Sequence, residues 1–148
     1  MELQKDAPRP VVNVIIDTCV WSRFLRRSRP ASDPVAEEVA RLVRADSVQL
    51  LGPIRQELLS GAQPDTRFEQ LKEYLRFYPN LPLDEEDDET AAHYYNVCRR
   101  QGIQGAATDL LICAAAVRHG LKVFTTDTDF DSYAKHVPIK LHRARSKL

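Results

Sequence analysis

Five acidic residues stand beside apolar segments, where exposure to solvent alone does not explain a carboxylate. Asp17 directly follows residues 11–16, of which five are β-branched and apolar. Glu57 lies in the short apolar segment 54–59, and Asp109 begins the most apolar segment of the chain. Asp127 and Asp129 follow the apolar run 121–125. If folding brings these carboxylates together, they will repel and raise one another's pKa unless a cation offsets their charge.

The residue types indicate which cation would suit such a cluster. Carboxylate oxygens without interleaved His or Cys are the ligands that Mg²⁺ and Mn²⁺ prefer over Zn²⁺. A carboxylate cluster that leaves metal positions open is the arrangement that phosphoryl-transfer nucleases use. A metal held in this way lowers the pKa of a bound water and neutralises charge on the phosphate.

The apolar pattern predicts the elements that must position these acids. The unbroken run 11–16 is typical of a strand buried on both faces, as in a parallel sheet covered by helices. Strands are predicted at 11–16, 48–51, 121–125 and 139–141, and helices at 18–29, from 34 to a turn at 46, at 54–59, 64–78, 85–101 and 109–117. This alternation predicts a single-domain α/β/α sandwich with a central, mostly parallel sheet. Its carboxyl edge, where such sheets place ligands, would gather the acids.

Length and composition bound the class of protein. A chain of 148 residues is expected to form one domain, with residues 1–10 as a polar leader and residues 11–148 as the domain with a basic tail. No apolar run approaches the roughly 20 residues that span a bilayer, and the leader lacks the apolar stretch of a signal peptide. Three cysteines without a CxxC pair argue against a disulfide framework. We therefore expect a cytoplasmic protein without a membrane contact.

Charges are segregated although the formal net charge is zero. The arginines at 23, 26, 27 and 29 and the basic residues from 135 onward have no acid among them, whereas six consecutive acids occupy 84–89. The acidic run is interpreted as the solvated start of a helix, favoured there by the helix dipole. The arginine cluster is either a solvated face or, if it lies beside a metal site, a surface that binds the phosphates of an RNA backbone.

Four segments, taken in order, resemble the PIN domain family and, within it, the VapC-type toxin ribonucleases. They are 15–21 (IIDTCVW), 52–61 (GPIRQELLSG), 108–116 (TDLLICAAA) and 125–130 (TTDTDF). The resemblance extends from about residue 11 to residue 141. Two features depart from the family pattern: Cys19 stands where Ser is commoner, and the leader is longer than usual.

The resemblance implies both a site and a function. The metal ligands would be Asp17, Glu57, Asp109 and Asp127, with Asp129 as a fifth acid or a substitute and Thr125 as a supporting hydroxyl. Asp127 is preferred to Asp129 because it lies nearer the strand end. The implied activity is endoribonuclease cleavage of RNA with one or two Mg²⁺ (or Mn²⁺) ions, leaving a 3′-hydroxyl and a 5′-phosphate. The implied partners are a second copy in a homodimer and a VapB-like antitoxin.

Structural explanations exist for each of these residues. Asp17 could cap the following helix, and Asp109 could be a helix-start acid favoured by the dipole. Glu57 could pair on the surface with Arg55 or Arg67, and the two later acids could form turns. Three further expectations concern other side chains: Cys19 is a small packed thiol, the four histidines share no metal, and the aromatic pair Trp21 and Phe24 fills a core or a dimer contact.

Two alternative functions remain at this stage. A PIN nuclease that processes RNA and is not a toxin would share all of the chemistry. A phosphoryl-binding α/β module of the receiver type would need an acidic pair near the end of the first strand. Val14 and Ile15 stand where such a pair would be required, so the sequence disfavours the second alternative.

Overall fold

The structure, a computed structural model, describes residues 13–26 and 33–144. The predicted leader, the arginines at 27 and 29 and the end of the basic tail lie outside the described residues. The described elements are four strands and seven helices: β1 (Val14–Ile16), α1 (Thr18–Leu25), α2 (Pro34–Arg44), β2 (Val48–Gln49), α3 (Gly52–Ser60), α4 (Asp65–Leu75), α5 (Glu85–Arg100), α6 (Ala107–Arg118), β3 (Lys122–Phe124), α7 (Asp129–Ala134) and β4 (Leu141–His142).

The four strands form one parallel sheet in the order β2-β1-β3-β4. Val14 of the first strand is in register with Val48 of β2, and Ile16 is in register with Phe124 of β3. The predicted α/β/α class is therefore confirmed. Since the strands are parallel, their carboxyl ends share one edge, and the segments that follow β1, β2 and β3 all begin there.

The core lies around the two central strands. The three residues of β1 are at most 1% exposed, as an unbroken apolar strand between two helical layers must be. The apolar helix α6 buries Leu110 and every residue from 112 to 116. Trp21 and Phe24 are buried in the same core, which confirms their predicted place in a core.

Several predicted boundaries differ from the observed ones. The first helix ends at Leu25, with Arg26 as its C-cap, four residues before the predicted end. The last strand lies at 141–142 and was predicted at 139–141. Helix α6 begins at Ala107, and its N-cap is Ala106 in the preceding loop, so that Asp109 falls in the first turn. Such ends depend on cap geometry more than on hydrophobic period, which is why periodicity places them poorly.

The interpretation of residues 84–89 as a solvated helix start is wrong at one position. Asp84 and Asp87 form a capping box at the start of α5, and Asp87 is completely buried. Its carboxylate pairs with Arg118 at 2.6 Å and contacts His119 at 3.2 Å, both at the end of α6. The acidic segment 84–89 thus connects α5 to α6 through a buried ion pair. None of the described helices combines the length and apolarity needed to cross a membrane.

Candidate metal centre

Asp17 lies at the carboxyl end of β1 and caps α1. The Thr18 backbone amide donates to Asp17 Oδ1 at 2.8 Å, and the Thr125 hydroxyl donates to Asp17 Oδ2 at 2.8 Å. The residue is only 8% exposed. Asp17 therefore does cap α1. Capping alone does not account for the burial of its charge, because an exposed carboxylate can cap a helix equally well.

Glu57 reaches the same edge from α3. Its Oε2 accepts a hydrogen bond of 2.7 Å from the Thr18 hydroxyl, so one threonine contacts both Asp17 and Glu57. Pairing of Glu57 with Arg55 is ruled out, because that guanidinium bonds to Asn80 and to two backbone carbonyls. Arg67 lines the same groove as Glu57, but no ion pair between them occurs in the described part of the chain.

Three further carboxylates meet beside this pair. One oxygen each of Asp109, Asp127 and Asp129 can be chosen so that all three lie within 4.8 Å of one another. Asp109 comes from α6, whereas Asp127 lies in the loop after β3 and Asp129 begins α7. The packing of α6 against the end of β3 thus brings Asp109 next to two acids that lie 18 and 20 positions later in the sequence.

Asp127 also organises its own loop. Its backbone amide donates to the Thr125 hydroxyl at 3.0 Å, and its Oδ1 accepts from the Asp129 amide at 2.9 Å. The predicted turn-forming role is therefore real, and it places Asp129 beside Asp127. The geometry offers no reason to prefer one of these two acids over the other, so the preference for Asp127 stays a prediction.

Burial and repulsion act on the two less exposed acids. Burial raises the pKa of Asp17, and repulsion from Glu57 adds to the rise, against hydrogen bonds from Thr125, Thr18 and Cys19 that lower it. The pKa of Asp109 is also raised, first by burial and then by repulsion from the other three aspartates of the site, against a hydrogen bond from Tyr133. Mutual repulsion of this kind is what a bound cation would relieve.

The donor set fits a hard divalent cation. Across residues 13–26 and 33–144, no Lys, Arg or His lies within ion-pair distance of any of the five acids. The groups that meet are carboxylates with hydroxyl support, without an imidazole, which is the chemistry of a Mg²⁺ or Mn²⁺ site. His119 and His142 bond instead to Asp87 and Glu38.

Cys19 is placed differently from the expectation. It is exposed, so the prediction of a packed thiol is wrong. Its sulfur lies 3.6 Å from Asp17 Oδ2 and from the Thr125 hydroxyl, and it accepts from the Thr126 hydroxyl at 3.4 Å. The thiol is thus on the rim of the site.

Two contacts at the site were not foreseen from the sequence. One is the bond from the Thr18 hydroxyl to Glu57, and the other is a 2.8 Å hydrogen bond from the Tyr133 hydroxyl to Asp109 Oδ2. A hydroxyl next to Asp17 could have been noticed in the segment 15–21. The tyrosine carries no comparable signal, because only the packing of α7 on α6 brings it near.

Known proteins are similar to this chain in sequence. A model of the PIN domain matches residues 14–136. The VapC ribonuclease Mb1587 of Mycobacterium bovis and the ribonuclease VapC11 of Mycobacterium tuberculosis are each 33% identical to the chain over 126 residues. In both cases the match covers 82% of this chain and 92% of the relative.

Solved structures share the fold. The structure of FitAcB from Neisseria gonorrhoeae aligns with a TM-score of 0.71 at 25% identity and covers 88% of this chain and 97% of that one. VapBC2 from Rickettsia felis, bound to a DNA fragment from its promoter, aligns with a TM-score of 0.69 at 13% identity over 87% and 96% of the two chains. At that low identity the second alignment shows the fold alone.

Proposed function

Since this chain belongs to the PIN domain family as a VapC-type ribonuclease, we propose that it is a metal-dependent endoribonuclease and the toxin of a toxin–antitoxin pair. One observation carries the metal dependence: three carboxylates converge within 4.8 Å beside the buried Asp17. No basic side chain of the described residues offsets their charge.

The proposed ligands are the acids at the carboxyl edge of the sheet: Asp17, Glu57, Asp109 and Asp127, with Asp129 as an additional or alternative ligand. Mg²⁺ or Mn²⁺, when bound there, supplies charge neutralisation at the phosphate and activation of a water. Without a cation these acids would repel an RNA phosphodiester, which is itself negative.

The chain's own groups hold the ligands in place. Thr125 and the Thr18 amide each occupy one oxygen of Asp17 with a 2.8 Å bond, which fixes the plane of the carboxylate. The Thr18 hydroxyl likewise holds Oε2 of Glu57. Each of these oxygens keeps a second lone pair for a cation. Hydrogen-bonded partners of this kind orient metal ligands before the metal binds.

An antitoxin of the VapB type and a homodimer are the proposed partners. Support for the antitoxin comes from the solved neighbours, which include VapBC complexes such as VapBC-1 from nontypeable Haemophilus influenzae, with a TM-score of 0.66. A groove between α1, α3 and α4 runs next to Glu57 and combines apolar Leu25, Leu58 and Leu71 with Arg26 and Arg67. A protein segment in this groove would lie against the metal centre and block RNA.

Purified protein should cleave RNA with Mn²⁺ or Mg²⁺ and stop when EDTA is added. Asp109→Asn should reduce the initial rate by at least about 100-fold, since loss of even an outer-shell partner costs about 10- to 100-fold in a metal site. Asp131→Asn is the matched control: this acid lies on α7 but pairs on the surface with Arg143, and its loss should leave the rate unchanged. Equal rates for Asp109→Asn and the unaltered protein would refute the proposal.

The same assay distinguishes the two acids after β3. Asp127→Asn and Asp129→Asn should each raise the Mn²⁺ concentration needed for half-maximal cleavage if both are ligands. If only one of the two variants needs more Mn²⁺, the residue changed in that variant is the ligand. The other acid then has a structural role in the loop after β3.

A further inference from the structure

We propose that Tyr133 is a positioning residue of the metal centre: its hydroxyl orients the Asp109 carboxylate and fixes the distance between α6 and α7 across which the metal is held. This role rests on the proposed metal centre and extends it to a residue that contacts no cation itself. The contact that carries it is the 2.8 Å hydrogen bond from the Tyr133 hydroxyl to Asp109 Oδ2.

The tyrosine is held rigidly. It is 1% exposed, and its ring packs edge-on against Phe130 with 5.2 Å between ring centroids. A buried ring packed in this way places its hydroxyl at a defined point, whereas an exposed tyrosine would share its bond with water. The hydrogen bond to Asp109 is therefore a geometric restraint on the carboxylate.

The restraint links two parts of the site. Tyr133 lies four residues after Asp129, so both project from the same side of α7. Asp129 belongs to the cluster with Asp109, and Tyr133 bonds to Asp109 directly. The bond from Tyr133 thereby connects α7, whose first residue is Asp129, to the first turn of α6.

The backbone around position 105 leaves space for the ring. A β-carbon on Gly105 would clash with the Leu110 side chain and would lie 3.3 Å from Cε1 of Tyr133. The loop before α6 thus leaves room for this tyrosine only because position 105 has no side chain.

The bond also limits the rotation of the carboxylate. The Tyr133 hydroxyl holds Oδ2 of Asp109 at 2.8 Å, and Asp109 belongs to the cluster with Asp127 and Asp129. Loss of the hydroxyl would let the Asp109 carboxylate rotate away from the geometry in which the three acids converge.

The test is Mn²⁺ binding measured by calorimetry and by the electron paramagnetic resonance signal of free Mn²⁺. Tyr133→Phe, which keeps the ring, should raise the Mn²⁺ dissociation constant about 10-fold, in the range typical for loss of an outer-shell partner. Cleavage by the variant should approach that of the unaltered protein at saturating Mn²⁺, with KM for RNA unchanged. A purely structural role would lower the amount of active protein at every Mn²⁺ concentration and leave the dissociation constant unaltered.

Tyr74→Phe is the matched control. It removes another part-buried hydroxyl, whose one hydrogen-bond partner among residues 13–26 and 33–144 is Tyr78, and should not change Mn²⁺ affinity. Equal affinity of Tyr133→Phe and the unaltered protein would overturn the positioning role and leave the metal centre intact. Absence of Mn²⁺ binding by the unaltered protein would overturn both.

A second measurement does not depend on the folding of Tyr133→Phe. With 3-fluorotyrosine in place of Tyr133, the ¹⁹F resonance should shift when Mg²⁺ is added, because fluorine lies next to the hydroxyl that bonds to Asp109. The substituted protein should keep its Mn²⁺ affinity within about twofold, as it keeps the hydroxyl. A resonance that does not respond to saturating Mg²⁺ would contradict the proposal.

Discussion

At the scale of the residue, Asp17 combines two roles that are often treated as alternatives. It caps α1 through the Thr18 amide, and it brings a buried charge to the carboxyl end of β1. A buried carboxylate is stable only where hydrogen bonds or a cation compensate the lost hydration. Thr125 and Thr18 supply part of that compensation, and a divalent cation would supply the rest.

The free energy needed to bury the Asp17 carboxylate should make the stability of the metal-free protein depend on pH. Because burial raises the folded-state pKa of Asp17 above its ordinary value, the folded state binds more protons than the unfolded state. Stability associated with this group is therefore lost as the pH rises from below about 4, the unfolded pKa, through the folded pKa. Asp17→Asn removes the titration, so the variant should gain stability relative to the unaltered protein as pH rises. Urea unfolding in EDTA from pH 4 to 8 would measure this difference, and a difference independent of pH would contradict it.

At the scale of the element, the packing of α5 on α6 holds in place the helix that carries Asp109. Burial raises the pKa of Asp87, but bonds from the Asp84 amide, Arg118 and His119 outweigh it, and the pKa is lowered overall. The buried carboxylate therefore stabilises the pair where it is ionised. Since α6 carries Asp109 in its first turn, the stability of this packing affects the ligand geometry at the opposite end of the helix.

Asp87→Asn should lower the free energy of unfolding at pH 7 by about 3 kcal/mol, since removing one partner of a buried pair leaves the other uncompensated. Glu86→Gln is the matched control: it loses a 2.7 Å contact with the same Arg118, but Glu86 is 74% exposed, and the cost should be below about 0.5 kcal/mol. The loss of stability caused by Asp87→Asn should become smaller as the pH falls through the lowered folded-state pKa of Asp87.

Urea unfolding of both variants would measure the two losses of stability. Equal losses would contradict a stabilising role of the buried pair between Asp87 and Arg118.

At the scale of the whole molecule, zero net charge hides a local excess of negative charge at one edge of the sheet. In the described part of the chain, no ion pair with a basic residue offsets it. Arg23, from the predicted basic cluster, pairs with Asp33 at 2.6 Å, and Arg143 pairs with Asp131. Part of the expected RNA-facing charge is thus engaged locally, and the proposed cation would supply positive charge for the phosphate at this edge.

Binding of a divalent cation should stabilise the folded chain as a whole. At an Mn²⁺ concentration about 100 times the dissociation constant, the gain is about 2.7 kcal/mol, which corresponds to a rise in Tm of about 5–10 °C for a chain of this size. Differential scanning fluorimetry would show it. The rise should vanish in Asp109→Asn and persist in Asp131→Asn; an equal rise in both would place Mn²⁺ elsewhere on the molecule.

The sequence by itself determined the fold class and indicated which acids to consider. An unbroken apolar strand can be buried only between two layers, and parallel strands end at one edge, so Asp17 and Asp127 could be assigned to that edge. The choice of Glu57 and Asp109 as further ligands came from the resemblance to the PIN domain family. The helix ends were less predictable, because they depend on individual caps such as Ala106.

Only the tertiary structure decided which side chains touch. The burial of Asp87, the exposure of Cys19, the approach of Asp129 and the bonds from Thr18 and Tyr133 all depend on how helices pack at distances of a few ångströms. Hydrophobic period fixes the face that a helix buries but not its axial position on its neighbour, and the hydrogen bonds of this site depend on that position.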